Sequence, residues 1–200
     1  MAATSAAFGF RPSFHNSGQI RPKAYTVAST YAPNIFSGDP VKLNATGTVE
    51  LATNDGLRTG TVASISCLGI FAGCEYIDAL GKPTVSPFWP GGTTATNIVV
   101  YVYDDPETIF EVEYANPGTI GTTSVQTAVG KQADWTISAT GGSTKTGLST
   151  TLLTALQGTS GQFQITGFSN RVGDTLTDAY VVATVRMNEA HYKAAVNTIS

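Results

Sequence analysis

Charge is what this chain has least of. Asp, Glu, Lys and Arg make up 12% of its 200 residues, about half of the roughly 25% usual in soluble domains. The formal balance is −3. A nucleic-acid binder needs a basic face to displace counterions from phosphates, so no nucleic-acid partner is expected. Arg11, Arg21 and Lys23 form only a small basic patch near the N-terminus. Long apolar runs are missing too. None approaches the ~18 residues of a membrane span, so no membrane partner is expected. The stretch from Met1 to Phe10 has neither the charged n-region nor the long apolar h-region of a secretory signal, which predicts synthesis in a cytoplasm. The only two cysteines, Cys67 and Cys74, have no oxidising compartment implied for a disulfide. With His15 and His191 they lack the C-x2-C or H-x3-H pairs that preorganise zinc. They read as small buried hydrophobes, and neither a metal nor a cofactor is expected.

Glycine, proline, threonine and serine fill the space that charge leaves. A surface of this kind suits β-proteins that sit against other proteins, because long charged side chains are costly to immobilise at an interface. The length fits one domain, or one domain with an elaborated tail, able to bury about 70% of its unfolded surface. Tight turns set the rhythm. Gly38-Asp39-Pro40 leads into Val41-Lys42-Leu43, Gly47 into Thr48–Leu51, and Asn54-Asp55-Gly56 is followed by the small-residue run Cys67–Cys74. Asp39 reads as a turn former. Strands are predicted over Pro40–Leu43, Thr48–Ala52, Leu68–Ala72, Glu75–Asp78, Asn97–Tyr103 and Ile109–Tyr114, then over Trp135–Ala139, Gln162–Phe168 and Ala179–Met187. Leu148, Leu152, Leu153 and Leu156 fall at helical spacing, which predicts a helix within Gly147–Gly158 despite the interspersed threonines.

The fold expected is mainly β. Residues 1–33 form an extended N-terminal arm, since Pro12, Pro22 and Pro33 each disfavour helix before them. Residues 34–115 form a compact barrel-like core. Residues 116–200 add C-terminal β-strands, packed with the core or standing apart. The arm has two uses open to it: folding back on its own core, or reaching to a neighbouring subunit, where aromatic residues and arginine anchor well.

Chemistry finds little purchase. Gly141-Gly142-Ser143-Thr144-Lys145-Thr146 superficially resembles a phosphate-binding loop. Thr144, however, stands where the P-loop needs its second glycine, and a polar hairpin loop is expected instead. Asp104, Asp105 and Glu107 flank Pro106 without the spaced ligands of a calcium loop. Glu111 and Glu113 share one strand face as a glycosidase pair would, but such pairs are common on solvated faces. There is no Gly-x-Ser-x-Gly elbow, and neither histidine sits where it would mark a base. The chain is not expected to be an enzyme.

Taken in order, Ala7-Phe8-Gly9-Phe10-Arg11-Pro12, Gly38-Asp39-Pro40-Val41, Leu68–Tyr76, Trp89, Val100–Pro106 and Val185-Arg186-Met187-Asn188-Glu189 resemble a group of tailed-bacteriophage virion structural proteins. The role this implies is capsid decoration, or cement. Residues 34 to 80 are similar, more loosely, to the lambda-type head decoration proteins, whose compact core is a β-tulip. The resemblance implies a homotrimer on the outer surface of the shell, assembled in the host bacterial cytoplasm. There it would bind the major capsid protein and stabilise the capsid against internal DNA pressure. The arm is then the natural contact element, with Phe8, Phe10, Arg11 and Phe14 as the candidate capsid contacts. The rival expectation is a carbohydrate-binding or adhesive virion appendage, in which Trp89 and Trp135 would stack on sugars. An exposed aromatic platform would favour that rival; buried tryptophans would favour cement.

Overall fold

In the computed structural model the described residues are 5–52, 67–115, 127–136, 141–157, 161–169, 179–188, 190 and 192. They are mainly β, as expected. Fourteen strands follow one another: β1 (Arg11–Phe14), β2 (Lys23–Tyr25), β3 (Ile35–Phe36), β4 (Pro40–Leu43), β5 (Val49–Leu51), β6 (Gly69–Asp78), β7 (Pro83–Ser86), β8 (Phe88–Trp89), β9 (Ala95–Tyr103), β10 (Ile109–Ala115), β11 (Gln132–Thr136), β12 (Leu152–Gln157), β13 (Phe163–Phe168) and β14 (Tyr180–Met187).

The first sheet runs β2-β9-β6-β4-β5, with β7 hairpinned onto β6. The two strands expected on either side of Gly73 are one continuous β6, whose register shifts between Phe71 and Gly73. The side chains of one face, Val41, Phe71, Cys74, Tyr76, Val100 and Val102, build a core with Val27, Ile35 and Trp89. The β3–β8 ribbon contributes Ile35 and Trp89 to that core.

The second sheet closes on itself. Its order is β1-β10-β12-β11-β13-β14, and β14 returns to pair with β10 over seven residues, from Ile109↔Arg186 to Ala115↔Tyr180. Strands β10, β12, β11, β13 and β14 therefore form a five-stranded barrel. β1 lies on the same edge of β10 as β12, farther along the strand. β14 shows why the ring can close: Val181, Ala183, Val185 and Met187 are buried and alternate with partly exposed neighbours. These meet Phe110, Val112, Tyr114, Trp135, Leu153, Phe163 and Ile165 inside the barrel. The closed ring thus begins at residue 109, later in the chain than the sequence places its barrel-like core.

The helix expected within Gly147–Gly158 is instead strand β12. A helix would bury Leu148 and Leu152, four apart, on one face, yet Leu148 is 37% exposed and Leu152 only half-buried. Thr151 and Leu153 point inward while Leu152 and Thr154 are half-buried, a period of two. Branching at Cβ favours the pleated strand here, and antiparallel pairing with β11 satisfies its backbone. The strand expected at Trp135–Ala139 occupies Gln132–Thr136, and residues 137–140 lie outside the described set.

Candidate interaction surface

The arm, β6 and the approach to β12 meet at the turn Gly38-Asp39-Pro40. Gly38 N–H donates to Phe71 O (2.9 Å) and Phe71 N–H to Asp39 O (2.9 Å), tying the turn to β6. Phe10 N–H donates to Gly38 O (3.0 Å), bringing in the arm. Ser37 N–H bonds Gly147 O and Ser149 N–H bonds Ser37 O, each at 2.9 Å, bringing in the approach to β12. Glycine is required at two of these positions. Gly38 has φ +95°, and a Cβ on Gly9 (φ +73°) would stand 2.8 Å from the Ser149 Cβ.

The Asp39 side chain completes the junction. It is 1% exposed. Oδ2 accepts the Phe36 N–H at 2.8 Å, and Oδ1 accepts hydroxyl bonds from Ser149 and from Thr151, the latter at 3.1 Å. Burial raises its pKa to about 6, against the opposing pull of these hydrogen bonds. Asp39 is a turn former, as read from the sequence. It is also a buried bracket between residues 110 and more apart. No substrate can reach it.

The arm folds back on its own chain. Ser5 Oγ–H and the Ala6 N–H donate to the two carboxylate oxygens of Glu113 at 2.6 and 2.7 Å. β1 lies along β10, with Arg11 opposite Glu111 and Phe14 opposite Ile109, while β2 lies along β9. Of the four candidate contacts, Phe8 and Arg11 come together on this rim, and Phe14 ends β1 opposite Ile109. The Arg11 guanidinium sits 4.4 Å from the Phe8 ring centre. Phe14 is 53% exposed. Phe10 departs from the expectation. It is 2% exposed, stacks on Phe163 at 4.3 Å and meets Phe110 edge-on at 6.5 Å. The Gly9 turn aims it inward, so Phe10 is a core plug and not a surface contact. Glu111 and Glu113, imagined as a catalytic pair, lie outside the barrel beneath the arm, with both oxygens of Glu113 engaged.

Beside this rim a cleft of about 400 Å³ opens between the β1–β2 loop and the β9–β10 turn, lined by His15, Arg21, Lys23, Asp104, Asp105 and Thr108. His15 Nδ1 accepts the Ser17 N–H at 3.1 Å. Nε2–H is then left to donate to Asp105, 3.1 Å away. Ser17 Oγ also lies 2.7 Å from Nδ1, but it is shared with Gln19 in the same tight loop. Asp104 accepts from Tyr25 Oη–H at 2.6 Å and pairs with Lys23 at 3.4 Å. Burial and the Asp104 contact push the Tyr25 phenol upward. These bonds pin the arm's loop to the β9–β10 turn. Sequence offers no signal for the His15–Asp105 pair, whose members are 90 positions apart.

The remaining chemical candidates are spoken for. Cys67 and Cys74 are free and belong to the two different cores. Burial pushes both thiols up to about 12, which makes them inert. Among the described residues no group of three His, Cys, Asp or Glu could hold a metal ion; His191 lies outside that set. Ser143 to Gly147 forms a tight turn closed by the Gly147 N–H to Ser143 O bond (2.7 Å), a polar loop and no phosphate cradle. Neither a family model, nor a curated protein, nor a solved structure matches this chain.

Proposed function

We propose that this chain is a capsid decoration (cement) protein of a tailed bacteriophage. In this reading it binds the outer surface of the major capsid shell as a homotrimer and stabilises the shell against internal DNA pressure. The observation that carries the reading is the disposition of the arm. β1 is held as an open edge strand on the barrel rim, presenting Phe8, Arg11 and Phe14, while Phe10 locks the strand from below. An edge strand with exposed aromatic and cationic side chains suits both main-chain and side-chain contact with a protein surface. Avidity across several subunits compensates for a small contact on each. The tryptophans weigh the same way. Trp89 and Trp135 are 0% and 1% exposed, so neither offers the flat stacking platform that a sugar-binding appendage would use.

The test is add-back. Purified protein is mixed with capsids assembled without it, and binding and rupture temperature are measured. The expected result is saturable binding and a higher rupture temperature, with both weakened about tenfold or more by R11E/F14A. Absence of binding to any mature shell would sink the proposal.

A further inference from the structure

Among the described residues the outer face of the first sheet is covered at one end. There Ile70, Tyr103 and Cys67 pack toward the barrel core. Farther along, the same face continues as a shelf through Tyr101, Val99, Glu75, Ile77 and Val85, the registers Val99↔Glu75 and Glu75↔Val85 setting three of them side by side. A solvated antiparallel face normally alternates to polar residues. Here only Glu75 is charged, its carboxylate accepting from Tyr101 Oη–H at 2.8 Å. Val85 is 82% exposed. A depression of about 180 Å³ lies beside Glu75, walled by Ile77, Pro83, Val85 and Asn97.

The hairpin that frames this shelf ends in a second unusual feature. Leu80, at the apex, is 93% exposed. The apex is rigid, because Asp78 Oδ1 accepts the N–H of both Leu80 and Lys82 at 2.9 Å and Asp78 O accepts the Gly81 N–H at 3.0 Å. Lys82 is exposed beside Leu80. A leucine and an ammonium are therefore held out on a preorganised tip, so docking the tip would cost little ordering entropy.

We propose that this shelf and tip form an interface between copies of this chain. Leu80 of one copy fills the depression of the next, and its Lys82 pairs with that copy's Glu75. Size and charge both match: one aliphatic side chain for the depression, one cation for the shelf's single carboxylate. Tip and shelf are different patches, so the contact is head-to-tail and builds a ring if the rotation closes, or an open filament if it does not. It uses none of the arm residues assigned to the shell. It rests on the homotrimer of that reading only in naming a surface that could build it, and a failure of shell binding alone leaves it standing.

The test uses the full chain alone, without shells, in sedimentation equilibrium over a concentration series. Wild-type protein should self-associate. Leu80→Asp should weaken association by at least about tenfold while leaving circular dichroism and melting unchanged. Glu75→Lys and Lys82→Glu should each weaken it, and the double variant E75K/K82E should recover it. A wild-type monomer up to about 1 mM, the weak end of specific association, overturns the proposal. So does association indifferent to Leu80→Asp. Monomeric wild type whose shell binding is lost in Leu80→Asp would also overturn it, and would assign the shelf to the shell.

Discussion

The two β-units of this molecule solve the same burial problem in opposite ways. The barrel turns its apolar residues inward and joins its last strand to its first, so its five strands satisfy one another. The first sheet stays open. Among the described residues β2 and β7 have no second strand partner, while the outer edge of β5 is met only by Thr26 O and the Tyr31 hydroxyl, which accept the Val49 and Leu51 N–H at 2.8 and 3.0 Å. The sheet relies on the β3–β8 ribbon beneath it and the barrel above one end. Closure removes edges and with them the opportunity for contact; openness leaves edges and faces to be used. The difference leaves the open sheet a face and edges on the surface, while the barrel offers only its rim, where β1 lies. The arm belongs to both, since β1 extends the closed unit and β2 the open one.

Large-to-small changes at the two tryptophans test that contrast most forcefully. Trp135→Ala empties the barrel and Trp89→Ala the open core, each with an expected loss of about 3–5 kcal/mol. Because Ile70 and Tyr103 of the open sheet pack against the barrel core, both variants should shift one shared transition. Urea unfolding followed by two probes measures this. Two separate transitions would make the units independent.

A smaller effect is expected at the junction. The Asp39 carboxyl has a pKa raised from 3.8 to about 6 in the folded state. The fold therefore favours its protonated form. Its contribution to stability is fully present below the unfolded value, near 3.8, and is lost as pH rises through about 6. The difference across that window is at most about 3 kcal/mol. Wild-type stability measured against that of Asp39→Asn from pH 4 to 7 should reveal this slope. Parallel curves for the two proteins would remove Asp39 from the account.

The smallest effect is expected on the rim. Phe14 is 53% exposed, and Phe14→Ala should change stability by no more than about 0.5 kcal/mol, against a clear loss of shell binding. A large drop in melting temperature would make Phe14 a structural residue.

How much of this was legible beforehand depended on whether the signal was local. Strand β4 follows its glycine turn at the bounds read from sequence, and β9, β10 and β14 announce themselves by runs of six or more residues rich in valine, isoleucine and aromatics. The strands that went unread, β1, β2, β3, β7 and β8, have two to four residues each, and β1 and β7 contain proline. Such segments become strands only because a longer neighbour offers them an edge. Pairing β14 with β10 decides that the barrel closes, and nothing in either strand names its partner. The same holds for the candidate site. Phe8, Arg11 and Phe14 were legible as candidate contacts. Phe10 was not separable from them, because its burial depends on Phe163, far along the chain. The bracket at Asp39 required Ser149 and Thr151, whose hydroxyls look like ordinary loop residues until the fold brings them in.

The arm's double pairing also bears on how the molecule comes into being. Translation delivers residues 1–25 first, yet β2 has no partner until β9 has been made, and β1 none until β10 follows it. The barrel that Phe10 plugs is complete only with β14. Residues 11–25 must therefore wait unpaired until their partners have been made, and their contacts are of long sequence separation, a slow route for a β-protein.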